Sequence, residues 1–246
     1  METLLFSVGF VGNVISILVF ASPIKTFWRI VKNRSTEEFD PSPYVFTLLG
    51  SSLWVYYGLM TRPGGLPVAT VNAVGVVLEA IYVSLFLVFA APTTKGKTAT
   101  MVAILNVGFL SGVILITHFA CHEQLRVWLT GAISACLNLF MYASPLAVMK
   151  TVIRMKSVKY MPFLLSFFLF LNGGVWTLYA VLDRDAFLGI ANGIGFILGT
   201  AQLILYLTYM GSKASKQTNG VDGCRQPLVA PSQEDDEMDI SSDHQV

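Results

Sequence analysis

Leu53-Trp54-Val55-Tyr56-Tyr57-Gly58 and Val175-Trp176-Thr177-Leu178-Tyr179-Ala180 carry the same Trp-x-x-Tyr pattern, 122 positions apart. Each copy lies in an apolar run long enough to cross a bilayer, and an Asn follows in the next run: Asn72 after the first, Asn192 after the second. A large aromatic ring and a neutral amide, paired twice at membrane depth, predict a two-fold site for a polar, uncharged ligand. Polar groups at that depth are costly unless they face a cavity or a partner helix.

Working outward, 54% of the 246 residues are apolar and only 13% are charged. A soluble domain carries about 25% charged residues, so the composition predicts an integral membrane protein. The net charge of +1, with no Lys/Arg-rich run, gives no nucleic-acid patch. Cys121, Cys136 and Cys224 are odd in number and lack CxxC spacing, so no disulfide framework is implied. Met1-Glu2-Thr3 has no basic residue and the first run ends without a cleavage signature, so that run is expected to be a retained span.

Seven segments fit the roughly 17–24 residues of a spanning helix: Leu4–Ala21, Pro43–Met60, Pro67–Ala90, Thr100–Phe119, Val127–Val148, Pro162–Leu182 and Phe187–Met210. Odd-numbered loops and the tail hold 13 of the 16 basic residues, which by the positive-inside rule predicts a lumenal or extracellular N-terminus and a cytosolic C-terminus. The sequon Asn33-Arg34-Ser35 then faces the cytosol and is expected to stay unglycosylated. Residues 211–246, with the acidic run Glu234–Glu237, are expected to be a disordered cytosolic tail.

The Trp-x-x-Tyr copies are not isolated. Ala21-Ser22-Pro23 recurs as Ala143-Ser144-Pro145, Pro43 corresponds to Pro162, and Asn72-x-x-Gly75 to Asn192-x-x-Gly195. Spans one to three (residues 4–90) are therefore duplicated as spans five to seven (127–210), and span four (100–119) is left over. An odd linker makes both copies run the same way across the membrane. The predicted fold is all-α: two parallel three-helix repeats joined by an inverting linker helix.

These motifs, with Gly12-Asn13, Arg34-Ser35-Thr36-Glu37, Tyr56-Tyr57-Gly58, Tyr142-Ala143-Ser144-Pro145, Lys156-Ser157-Val158 and Met161-Pro162-Phe163, resemble the SWEET sugar transporters from about Leu4 to Met210. Leu49–Trp54 and Phe167–Gly173 resemble that family's plant vacuolar-membrane hexose group. The resemblance implies a passive, bidirectional uniporter, a vacuolar membrane (with the plasma membrane as alternative), a mono- or disaccharide as ligand, and a homo-oligomer.

Trp54 stands 11 residues beyond Pro43 and Trp176 14 beyond Pro162, about 16 and 21 Å at ~1.5 Å per residue. That is too deep for an interfacial belt. It suits a sugar, whose C–H face stacks on an aromatic plane while Asn72 and Asn192 meet its hydroxyls. Asn172, one turn before Trp176, is a third amide, and its repeat mate is Gly50. Pro23, Pro43, Pro145 and Pro162 fall at matched helix ends and read as a hinge ring; they resemble the family's proline tetrad. By resemblance, Val19, Gly50, Met141 and Asn172 occupy size-selecting positions, and Tyr57 and Asp185 an outer gate.

Glu79 is the one acid well inside a span. Without an intramembrane His, Lys or Arg it makes a poor proton relay, so a structural hydrogen bond is expected. His118 and His122, at i and i+4, have metal-pair spacing but lie outside the duplicated core, and no metal site or cofactor is expected. No catalytic motif is present, so the chain is not read as an enzyme. Two alternatives remain: a proton-coupled small-solute carrier working through Glu79, and a seven-helix receptor.

Overall fold

Prolines divide the chain before anything else does. The computed structural model describes residues 2–61 and 64–210; the tail expected over 211–246 lies outside the described residues. Helix α1 (Glu2–Ala21) breaks at Pro23 into a short α2 (Ile24–Asn33), and α3 (Ser42–Met60) starts after Pro41 with Pro43 in its first turn. Helix α4 (Leu66–Phe89) completes the stretch expected as the first copy. The linker runs through α5 (Pro92–Met101), a π-helical stretch (Val102–Phe109) and α6 (Leu110–Ala120). The stretch expected as the second copy holds α7 (Glu123–Met141), α8 (Ala143–Met155), α9 (Phe163–Asp183, entered through Pro162) and α10 (Ala186–Met210). Among the described residues there is no strand.

Two boundaries differ from the expected ones. The segment Val127–Val148 is not one helix: it breaks at Tyr142, whose N–H bonds back to Asn138 and Leu139 while Ala143 begins a new helix around Pro145. The linker, expected over 100–119, begins at Pro92, because Pro at a first turn has no N–H to lose and the polar stretch behind it extends the helix beyond its apolar part. Helices α2 and α8 end alike, on Arg34 (φ 49°) and Lys156 (φ 47°), repeat mates that both take the left-handed cap conformation.

Among the described residues, six helical stretches are long and apolar enough to cross a membrane. The remaining expected span, α3, is diluted by Ser, Thr, Tyr and Trp because it faces protein: Val45, Leu49, Gly50, Ser51, Leu53, Trp54, Tyr57 and Gly58 are all buried. Elsewhere large apolar side chains such as Phe6, Val77, Ile104, Phe119 and Ile197 point outward. A soluble protein rarely tolerates so much exposed apolar surface, whereas lipid requires it. The chain is a multi-pass membrane protein.

In the first copy α4 packs on both α1 and α3; in the second α10 packs on both α7 and α9. The copies meet through two equivalent pairs, α1 with α9 and α3 with α7, and the linker lies against α3 and α7. The Asn-x-x-Gly motif explains part of this fit. A Cβ on Gly75 would stand 2.6 Å from Phe20 Cζ, and one on Gly195 2.5 Å from Tyr142 Oη. Phe20 and Tyr142 are repeat mates, so each glycine seats an equivalent ring one turn from the motif's Asn.

Candidate functional site

Between the two copies lies a cavity of about 190 Å³. Trp54, Asn72, Trp176 and Asn192 line it, as do Val19, Gly50, Met141 and Asn172. Among the described residues that line it, none is charged. The volume is below the roughly 300–1,000 Å³ of drug-sized ligand sites.

The Asn side chains are held alike. Asn72 Nδ2 donates to the Val68 carbonyl at 2.8 Å and Asn192 Nδ2 to the Leu188 carbonyl at 3.0 Å, each one turn back on its own helix. One N–H and the oxygen of each amide stay available, which is the donor-plus-acceptor pair that adjacent sugar hydroxyls need.

The indole N–H groups, by contrast, are spent across the interface. Trp176 Nε1 on α9 donates to Ser16 Oγ on α1 at 2.9 Å, and Trp54 Nε1 on α3 to Asn138 Oδ1 on α7 at 3.3 Å. Ser16 and Asn138 are themselves repeat mates and also line the cavity. Sequence reasoning missed both; their shared offset of 122 was the signal that could have found them. Burial with a satisfied N–H fixes each ring, leaving aromatic surface rather than a donor for a ligand.

The positions where the copies differ sit together. Ser16 Oγ donates onward to Asn172 Oδ1 at 2.5 Å, tying that amide into the Trp176 corner. Opposite, Gly50 leaves space: a Cβ there would stand 3.7 Å from Leu137 Cδ2 and 4.0 Å from Met141 Sδ, ordinary contact distances. Val19 completes the wall on α1.

One end of the cavity is shut. Tyr57 Oη donates to Asp185 Oδ2 at 2.9 Å, and Asp185 Oδ1 accepts the Leu188 N–H at 3.0 Å, so the acid also caps α10. Tyr179, mate of Tyr57, donates to the Gly64 carbonyl at 2.6 Å. Trp54 packs edge-on to Tyr57, and Tyr57 to Phe187, with ring centroids 5.4 and 6.4 Å apart. At the opposite end of the same helices Pro43 and Pro162 are exposed, while Pro23 and Pro145 are half-buried at the α1–α2 and α7–α8 breaks.

Glu79 requires a correction. Its side chain is buried on α4, but Oε2 has no hydrogen-bond partner among the described residues, so the expected structural hydrogen bond to this oxygen is not made.

Comparison with known proteins makes the class of this helical bundle specific. A family model described as "Sugar efflux transporter for intercellular exchange" matches residues 6–94 and 129–214. The chain is 56% identical over 208 residues to the bidirectional sugar transporter SWEET16 of Oryza sativa subsp. japonica, spanning 85% of this chain and 63% of that protein. It is 55% identical over 217 residues to SWEET17 of Arabidopsis thaliana, covering 88% of this chain and 90% of that one. A solved structure of a eukaryotic SWEET transporter superposes with a TM-score of 0.80 at 41% identity, over 84% of this chain and 97% of its own. The chain belongs to the SWEET family of sugar transporters.

Proposed function

We propose that this chain is a bidirectional, facilitative sugar uniporter, specific for hexoses such as glucose or fructose, in which the two three-helix repeats rock about one central site. The observation that carries this reading is the neutral cavity lined by both Trp and both Asn of the duplicated segments. A sugar ring stacks against Trp54 and Trp176 while Asn72 and Asn192 meet its hydroxyls. Gly50, Val19, Met141 and Asn172 set the size that fits, and the small volume favours a monosaccharide over sucrose.

Tyr57 and Asp185 form the outer gate, and the four proline positions are hinges at the inner mouth. Loop charge supports an N-terminus in the lumen or outside and a C-terminus in the cytosol. The vacuolar membrane follows from the hexose subgroup that Leu49–Trp54 and Phe167–Gly173 resemble, and homo-oligomers from the family. The 3+1+3 division of the chain is supported by the two stretches matched by one family model and by the equivalent packing of α4 and α10.

Uptake of labelled glucose, fructose and sucrose by the full chain in vesicles tests the reading. Hexose equilibration without a pH gradient, lost on Trp176→Ala at equal protein abundance, is expected. Sucrose entering faster than either hexose, or uptake that requires a proton gradient, would overturn it.

A further inference from the structure

We propose that Asn106, on the linker helix, is a positioning residue for transport: its amide straps the first turn of α3 beside Pro43 and favours the conformation in which the Tyr57 gate is shut. Asn106 Nδ2 donates to the Val45 carbonyl at 3.2 Å. Val45 is fully buried, two residues past Pro43, and its own N–H still bonds to the Pro41 carbonyl outside the helix. The strap therefore holds the short segment of α3 that a hinge at Pro43 would have to move. This inference rests on the reading of Pro43 as a hinge.

Three further features single out this contact. Asn106 lies in the π-helical stretch Val102–Phe109, none of whose residues is buried. Such stretches are rare and often mark places where a helix changes register. Leu105 and Leu110 on either side pack against the buried cluster that Leu49 and Leu53 of α3 form with Val113, so the linker is seated on α3 and Asn106 reaches its backbone. Finally, Asn106 Oδ1 is buried without a hydrogen-bond partner. An amide only half satisfied in this state loses little by exchanging its contact in another.

The linker is tied unequally along its length. At the gate end Thr117 Oγ1 and Tyr56 Oη lie 3.1 Å apart, and Arg126 of α7 donates to the carbonyls of Thr117, His118 and Cys121 at 3.1, 3.0 and 3.3 Å. That end is held by both copies at once. At the proline end, among the side-chain hydrogen bonds of the described residues, Asn106 to Val45 is the one that joins linker to α3. A contact made in one conformation and lost in the other shifts the balance between them by its own free energy.

The test uses the full chain in vesicles, with labelled hexose and initial rates of influx and efflux. A passive carrier keeps Vmax/KM equal on its two faces, so a shift between conformations appears as opposite changes in KM on the two sides. Asn106→Leu, of similar size, removes both the strap and the orphan oxygen. The ratio of the two KM values is expected to move about five-fold, the worth of one net hydrogen bond, and Asn106→Gln, which keeps a donor, to recover part of it. If Asn106→Leu does not reach the membrane, Asn106→Ala is measured in the same way. An unchanged ratio, or a uniform fall in rate at both faces, overturns the proposal. Pro43→Ala is measured separately: normal transport by that variant counts against the hinge, whereas the strap stands or falls on the KM ratio.

Discussion

The two halves of the cavity are built from repeat mates, yet they grip their tryptophans differently. Around Trp176 the bonds form a chain from indole to Ser16 hydroxyl to Asn172 amide. Around Trp54 a single longer bond reaches Asn138, and the place of Asn172 is taken by Gly50. The two mate tyrosines show the same contrast: Tyr57 bonds a carboxylate, Tyr179 a backbone carbonyl. Duplication supplies the frame, a tight corner and a roomy one break its symmetry, and an asymmetric ligand needs such a break to bind in one orientation.

The largest expected effect comes from the rings. Trp176→Ala and Trp54→Ala each remove about 3–5 kcal/mol of packing, and labelled hexose uptake is expected to fall about tenfold or more in both, further at Trp176. A Trp54→Ala variant worse than Trp176→Ala would reverse the assignment of the tight corner.

Next come the two mate tyrosines. A hydrogen bond to a charged group is worth about 2 kcal/mol and one to a neutral carbonyl about 1 kcal/mol. Tyr57→Phe should therefore bias the carrier toward its gate-open form about thirty-fold, and Tyr179→Phe about five-fold. Equal shifts in KM asymmetry for the two variants would show that the charge on Asp185 contributes nothing to closure.

Glycines beside Tyr57 and Tyr179 sharpen this further. A Cβ on Gly131 would meet Phe187 Cδ2 at 2.5 Å and Tyr57 Cε2 at 2.7 Å, while one on its mate Gly9 would meet Pro67 Cβ at 2.9 Å and Tyr179 Cε2 at 3.0 Å. Overpacking costs about 1–3 kcal/mol, so Gly131→Ala should lower the thermal unfolding midpoint in detergent more than Gly9→Ala does. Smaller again are the polar mates: Ser16→Ala loses two hydrogen bonds and Asn138→Ala one, about 1 kcal/mol each, so hexose KM is expected to rise more for Ser16→Ala.

The smallest effect lies in the proline-end loops. In the first copy Arg29, then Asn33, bonds the Glu37 carboxylate and holds its pKa below the usual carboxylate range. A depressed pKa contributes stability that is present above the unfolded value and lost as pH falls through the folded one. Acidification below the ordinary carboxylate range should thus loosen Ser35–Phe39, measured by hydrogen exchange against Glu37→Gln as reference. The mates of Arg29 and Glu37 are Thr151 and Lys159, so the equivalent loop lacks this pair, and the contrast fails if both loops respond alike.

Much of the site was legible because its parts are large, polar at an unusual depth, or repeated. Trp54, Trp176, Asn72 and Asn192 stand out against apolar runs, and each has its mate. Ser16 and Asn138 did not stand out. Small polar side chains in spanning helices commonly bond back to their own helix, so neither residue type nor spacing reveals that these two receive an indole from the other repeat. The break at Tyr142 was hidden as well, since its hydrogen bonds turn the chain three residues before Pro145. At Glu79 the expected bond fails for a related reason: a lone buried acid implies a partner by its cost, but whether one is within reach depends on the neighbouring helices.

By itself the sequence determined that this chain lives in a membrane, where prolines interrupt it, that a set of motifs recurs at a fixed offset, and which large rings and amides stand at unusual depth. Those properties are local or repeated: apolar length, proline position and the offset between copies carry them. Only the tertiary structure decided that each indole is anchored by the opposite repeat, that the Tyr57 end is shut, and that Asn106 reaches α3. Each of these contacts joins residues about 60 to 160 positions apart. Their existence depends on helix rotation and distance, which no single segment of the chain encodes.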